Sequence, residues 1–288
     1  MNLKQSSRYH RRRFIRSGML AYARLAAWIP QRFPDFMCIG APRAATTWVH
    51  KSLQADPQVF LPKRKEVHFY DEPPADNGGD SDLRWSDPFT FDVQNPAHLR
   101  WYWYQYRHAG TRLAGDITPL YSTLSAERIA IIREHMPDLK LIYILRNPID
   151  RAWSGLRKSA WYQKGTAFLE SKEEEWILQQ VLRPEVLVRG DYPRAIANWE
   201  SVFPEEQFLY LFFDDVREGP EACLDQMYDF LGLAQPERQF AQTATKKVNA
   251  APEKPMPDYV KRALRQHYEK QIEELESRFN RDLSHWLD

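Results

Sequence analysis

The chain has 288 residues, 43% of them hydrophobic and 27% charged, which is an ordinary globular composition. Its formal net charge of +1 argues against a globally basic nucleic-acid binder. Its two cysteines, Cys38 and Cys223, cannot build a disulfide framework or a zinc site, and they read as small core residues.

The charge is unevenly placed. Residues 1–35 hold Lys4, Arg8, Arg11, Arg12, Arg13, Arg16, Arg24 and Arg32 against Asp35 alone, so the remainder is mildly acidic. We expect a basic arm and helix over 1–35 and one domain over 36–288. Residues 1–13 read as a solvated tail. From Phe14, the residues Ile15, Met19, Tyr22, Ala26 and Ile29 recur at helical spacing. That helix either packs on the domain or makes peripheral contact with an anionic membrane surface. Arg16 and Arg24 make it too charged for a transmembrane span, and no signal-cleavage pattern is present. A cytoplasmic location is expected.

Phe36 to Ile39 form an apolar run suited to a buried parallel strand. Gly40 and Pro42 break it, and Thr47 to Leu53 resume as a helix. Strand, tight turn and helix N-terminus together cradle anions, because unpaired N–H groups and the helix dipole converge there. Set against the nucleotide pattern G-x-x-x-x-G-K-[ST], Gly40 fits the first glycine and Thr47 the final hydroxyl. Ala45 stands at the second glycine and Thr46 at the lysine. Arg43 is the strong cation inside the turn.

Lys63, Arg64 and Lys65 precede Glu66, His68 and Asp71. Val67 and Phe69 alternate with Glu66, His68 and Tyr70, so a strand here would put Glu66 and His68 on one face. Nearby cations favour an ionised Glu66, and a carboxylate beside an imidazole can act as general base and support. A solvated edge strand is the plainer alternative. Residues 72–94 read as a long surface loop. Asn95-Pro96 opens a helix bearing Trp101, Tyr102, Trp103, Tyr104 and Tyr106, which suit either core or a substrate wall.

Leu113 to Ile117 is a short strand ending in the polar turn at Thr118-Pro119. A helix spans Ser125 to His135. Leu139 to Leu145 is a second buried strand, and it ends in Arg146 where an ATPase would hold magnesium with an acid. Arginine there can bind phosphate bidentately, with Ser154 adding a hydroxyl about two helical turns on. Further helices are expected over 172–182, from Asp191 to Phe203, over 220–231 with Gly232 as C-cap, and over 258–279. The last carries Tyr259, Leu264, Tyr268, Ile272 and Leu275 on one side. A strand is expected over 207–213, and a loop over 234–257. This alternation of strands and helices predicts a single α/β domain.

Two motifs and a third between them then carry a family resemblance. Pro42-Arg43-Ala44-Ala45-Thr46-Thr47-Trp48 resembles the 5′-phosphosulfate loop of sulfotransferases. Arg146-Asn147-Pro148, with Arg151 and Ser154, is similar to their 3′-phosphate segment. Lys65-Glu66-Val67-His68-Phe69-Tyr70-Asp71 resembles the catalytic-base segment of the heparan-sulfate-type branch. Arg281-Asp282-Leu283-Ser284-His285-Trp286 is also similar to that branch.

The resemblance implies a P-loop-type central parallel sheet flanked by helices. It implies 3′-phosphoadenosine 5′-phosphosulfate as donor, adenosine 3′,5′-bisphosphate as product, and no metal. Arg43, the N–H groups of Ala44, Ala45, Thr46 and Thr47, and both threonine hydroxyls would hold the 5′ side. Trp48 would stack on adenine, Arg146 and Ser154 would take the 3′-phosphate, and Lys246 or Lys247 would close over the nucleotide. Glu66 would take the acceptor proton, supported by His68, with Lys65, Asp71, Thr118 and Tyr121 toward the acceptor. A glycan or glycosylated metabolite is the expected acceptor, through a hydroxyl or amine.

Two departures stand out. Arg43 replaces the commoner lysine, and Ala45 replaces a glycine, which strains the turn if that position has a positive φ. The competing expectations are an ATP-using P-loop kinase and a catalytically silent anion binder. The missing lysine and the arginine at 146 oppose the kinase; Ala45 favours the silent binder.

Overall fold

The computed structural model describes residues 28–72, 91–165, 167–234 and 254–288. The basic tail and its helix, most of the 72–94 loop, and Lys246 and Lys247 lie outside those residues.

The centre of the protein is one parallel five-stranded sheet in the order β2-β3-β1-β4-β5. β1 (Phe36–Gly40) is flanked by β3 (Leu113–Ile117) and β4 (Lys140–Leu145), while β2 (Val59–Phe60) and β5 (Phe208–Phe212) form the edges. All five residues of β1 are buried, as an inner parallel strand requires. Cys38 sits opposite Ile117 on one side and Ile142 on the other. Gly115 makes room for this centre: a Cβ there would lie 2.1 Å from the Phe36 ring. At edge strand β5, Leu209 and Tyr210 remain only partly buried.

The helices follow the strands as crossover elements. They are α1 (Thr46–Gln54), α2 (Pro96–Tyr106), α3 (Ala126–His135), α4 (Pro148–Lys164), α5 (Glu174–Val181), α6 (Pro184–Leu187), α7 (Tyr192–Glu200), α8 (Phe213–Glu218), α9 (Pro220–Leu231) and α10 (Asp258–Phe279). Asn95 opens its helix as expected, and Asn147 does the same for α4. Asn95 Oδ1 accepts from Ala97 N at 2.9 Å, and Asn147 Oδ1 accepts from Ile149 N at 2.9 Å. Gly232 closes α9 at φ 74. α10 buries Val260, Leu264, Tyr268, Ile272 and Leu275. Val260 thus takes the core place expected of Tyr259, which is half-buried.

The expected strand over 66–70 is absent. Glu66 and His68 instead adopt φ values of 65° and 57°, in the left-handed region that no strand can use. In this segment Val67 and Phe69 are buried as expected, but so is Tyr70, so the alternation ends there. The aromatic helix α2 lies behind it. Tyr102 stacks on Phe69 at 4.5 Å between centroids, and Trp101 stacks on Phe91 at 4.4 Å. α2 therefore packs as scaffold and places none of its side chains in the cleft described below. Among the described residues, no helix is long and apolar enough to cross a membrane.

Candidate active site

The carboxyl ends of β1 and β4 open into a cleft of about 1410 Å³, the place where parallel α/β sheets bind ligands. That exceeds a typical small-molecule pocket of roughly 300–1,000 Å³, and leaves room for a nucleotide beside a second substrate.

The turn between β1 and α1 forms the floor. Arg43 has φ 73° and Ala45, the N-cap of α1, has φ 57°. Left-handed residues alternating with ordinary ones fold backbone N–H groups into an anion-binding concavity. The amides of Thr46 and Thr47 at the start of α1 complete it, whereas Trp48 N–H already donates to Ala45 O at 2.7 Å. Ala44 departs from expectation. Its N–H donates to Ala41 O at 3.0 Å, and its side chain is buried away from the cleft. The cradle is therefore built from Ala45, Thr46 and Thr47, all of which line the cleft. Trp48 also lines it; it is nearly buried, and its indole N–H has no partner among the described residues.

β4 delivers the second half. Arg146 follows its last residue and donates from Nη1 to Arg43 O at 2.6 Å. Its guanidinium lies 4.4 Å over the Phe213 ring, and Tyr192 OH donates to its main-chain carbonyl at 2.7 Å. Its Nε is buried without a partner among the described residues, so a donor is left over for a ligand. Ser154, on α4, accepts from Arg43 Nε at 3.0 Å. The two expected anion sites are thus joined into one. Burial, then the proximity of Arg146 and Arg157, pushes the Arg43 guanidinium down to about 10. Burial and like charges both disfavour a charged guanidinium, and a bound anion would relieve the second effect.

The third wall carries Glu66, His68 and Asp71. His68 Nδ1 lies 2.7 Å from Asp71 Oδ2, and His68 Nε2 lies 3.5 Å from Glu66 Oε2. Burial alone would lower the imidazole pKa, but hydrogen bonds to Asp71 and Glu66 outweigh it and raise the value to about 9. Burial would raise the Glu66 pKa, yet His68 and Lys65 hold the carboxyl well below its usual range. Lys65, expected on the acceptor, is engaged with Glu66, its Nζ 2.6 Å from Oε1.

Thr118 and Tyr121 were also expected on the acceptor; both are fully buried. Thr118 Oγ1 accepts from Val67 N at 2.9 Å and His68 N at 3.5 Å. Tyr121 OH accepts from Phe69 N at 2.9 Å and Tyr70 N at 3.4 Å. Each hydroxyl in turn donates to buried Asp116, at 2.6 Å and 3.2 Å, and Tyr102 OH donates to it at 2.9 Å. These residues hold the left-handed Glu66 segment from beneath. In the sequence Asp116 shows only as part of a strand, because hydroxyl-to-backbone bonds across some 50 residues leave no local pattern. Lys158 and Tyr162, on α4, also line the cleft. Lys158 was detectable as the residue four beyond Ser154, on the same helix face.

The C-terminal tail secures the corner behind Arg146. Arg281 donates to both Asp215 oxygens at 2.6 Å, Trp286 Nε1 donates to Asp214 at 2.8 Å, and Asn147 Nδ2 donates to Trp286 O at 2.9 Å.

A parallel sheet, an anion turn at its central strand and a cationic second strand end define a P-loop-like group-transfer protein. The chain belongs to the sulfotransferase family, whose profile matches residues 34–237. It is 26% identical over 220 residues to human bifunctional heparan sulfate N-deacetylase/N-sulfotransferase 2, covering 70% of this chain and 22% of that protein. It is 26% identical over 219 residues to mouse heparan sulfate glucosamine 3-O-sulfotransferase 6, covering 75% of this chain and 58% of that one. The match thus spans between about a fifth and three fifths of these relatives. The crystal structure of a sulfotransferase from Alicyclobacillus acidocaldarius shares the fold, with a TM-score of 0.62 at 24% identity, covering 89% of this chain and all of that one.

Proposed function

We propose that the chain transfers a sulfuryl group from 3′-phosphoadenosine 5′-phosphosulfate to a hydroxyl or amine of a glycan. One observation carries the reading: Arg43 bonds to Ser154 through Nε and to Arg146 through its carbonyl, so both anion half-sites face one cleft beside Glu66. A donor with phosphate at the 3′ position and phosphosulfate at the 5′ position fits such a pair. The orphaned Arg146 Nε and the amides of Ala45 to Thr47 supply its donors.

In this reading the 5′ side sits on the α1 amides and on Arg43, whose charge follows the leaving phosphate. Trp48 stacks on adenine, and Arg146 and Ser154 hold the 3′-phosphate, with Lys246 or Lys247 closing from outside the described residues. Glu66 takes the acceptor proton. His68, locked by Asp71, holds Glu66 in place, and Lys65 moves from Glu66 to the acceptor. Sulfuryl transfer spreads charge over the outer oxygens much as phosphoryl transfer does, so positioning and electrostatic stabilisation supply most of the acceleration. Likeness to enzymes named for heparan sulfate supports a glycan acceptor.

Calorimetric titration with adenosine 3′,5′-bisphosphate, against ATP plus magnesium, tests the donor. Tight binding of the former alone is expected, and preference for ATP would sink the reading. Radiolabelled donor offered with heparan-type glycans and with simple phenols tests the acceptor; label appearing only in the phenols would overturn the glycan assignment.

A further inference from the structure

Three lysines line the cleft, Lys65, Lys158 and Lys254. Lys65 is engaged with Glu66 at 2.6 Å, and Lys254 lies 3.4 Å from Glu170. Lys158 makes no hydrogen bond or ion pair among the described residues. Its ammonium rests 5.8 Å from the Tyr162 ring centroid.

Its position is set by α4. Residues four apart on a helix share a face, so Lys158 leaves α4 on the side of Ser154. Ser154 is fixed against Arg43 by a 3.0 Å hydrogen bond, which turns that face toward the anion turn. Burial lowers the Lys158 pKa, and the charges that act on it next are Arg43, Glu66 and Lys65. The ammonium therefore feels both the cation expected at the leaving group and the carboxylate expected at the acceptor.

We propose that Lys158 is a further catalytic residue, whose ammonium donates to the outer oxygens of the sulfuryl group during transfer. It supplies from α4 the lysine that the turn lacks at Thr46. The proposal rests on the sulfotransferase reading above. In the step, the bond from sulfur to the acceptor oxygen or nitrogen forms as the bond from sulfur to the bridging phosphate oxygen breaks. The electron pair of that bond leaves with the phosphate, the acceptor proton passes to Glu66, and Lys158 keeps its proton throughout. A mobile ammonium suits a group that moves along the transfer axis better than a fork pinned at one end.

The test exploits a difference between donor and product: adenosine 3′,5′-bisphosphate lacks the sulfuryl group. Lys158→Met should lower kcat by about 100-fold or more, the usual loss for one donor to developing charge. Its Kd for the bisphosphate should stay within about twofold of the parent, which also shows that the variant folds. Lys158→Cys treated with 2-bromoethylamine regains an ammonium and should recover turnover; Cys38 and Cys223 are buried and spared in the folded protein. Unchanged kcat in Lys158→Met, failure of alkylation to restore it, or equal losses in kcat and bisphosphate affinity would each overturn the proposal. A parent protein that neither binds the bisphosphate nor transfers sulfate overturns the sulfotransferase reading itself; an active parent with an equally active Lys158→Met removes this inference alone.

Discussion

Arg146 donates from Nη1 to the main-chain carbonyl of Arg43 at 2.6 Å, so the end of β4 grips the middle of the anion turn. Under the proposed function one side chain would have two tasks, shaping the 5′ cradle and offering its remaining donors to the 3′-phosphate. Arg146→Ala should weaken binding of a 3′-phosphorylated nucleotide by roughly 10- to 100-fold, the scale of a lost charge-assisted hydrogen bond. The 3′-hydroxyl analogue should lose far less. Equal losses in paired titrations would assign Arg146 to shaping the turn alone.

Glu66→Gln keeps the shape of the side chain and removes its basicity. Turnover should fall by about 10²- to 10⁴-fold, the usual worth of general-base catalysis, with bisphosphate affinity nearly intact. Wild-type turnover in this variant would end the assignment.

Glu66 also makes a prediction in pH. His68 and Lys65 hold its carboxyl well below the usual range, so it stays ionised through mildly acidic conditions. Removing both cations in Lys65→Met/His68→Gln raises its pKa toward the range expected of a buried carboxyl. The acid limb of kcat/KM should then move to higher pH. A limb that stays in place would mean that another group governs it. His68 itself, raised to about 9, lends stability that is complete below its ordinary unfolded pKa and is lost as pH rises through about 9.

Ala45 sits at φ 57°, where a β-carbon costs roughly 1–2 kcal/mol. Glycine would relieve that strain but lose about 0.4–1 kcal/mol through the unfolded chain. Ala45→Gly should therefore raise stability by roughly 0–1.6 kcal/mol, whereas glycine at buried Ala44 should lower it. Denaturant midpoints check the pair; comparable losses at both sites would show that the turn carries no strain at Ala45.

Asp116 never enters the cleft yet anchors both hydroxyls that hold the Glu66 segment. Thr118→Val and Tyr121→Phe each leave two backbone N–H groups short of an acceptor, at a cost of about 1–3 kcal/mol per unsatisfied group. Turnover should drop in both, with bisphosphate affinity preserved. Parallel loss of both readouts would point to general unfolding instead.

Much of this was legible in the residues. The runs at β1 and β4 are continuous because both faces are covered, and Asn95 and Asn147 cap helices through bonds that span two residues. Arg43 and Arg146 follow the carboxyl ends of β1 and β4, where chain direction alone sends them to one edge of the sheet, and Ser154 lies about two turns into the helix that follows Arg146. The 66–70 segment resembles a strand because Val67 and Phe69 are buried between half-buried Glu66 and His68, but left-handed residues at 66 and 68 generate that spacing and Tyr70 breaks it. The duties of Thr118 and Tyr121 were hidden for another reason. A hydroxyl reads as ligand-binding until its partners are known, and these partners are backbone groups from a distant turn.

The bond from Asn147 to the carbonyl of Trp286 closes a stretch of 139 residues, at the corner from which Arg146 projects. During synthesis, β1, β4 and the anion turn can pair long before that contact exists. The corner gains its last support only once residue 286 has cleared the ribosome. A nascent chain arrested short of that point should hold the sheet together while binding the 3′-phosphate poorly, so competence for the nucleotide comes late, after the core has formed.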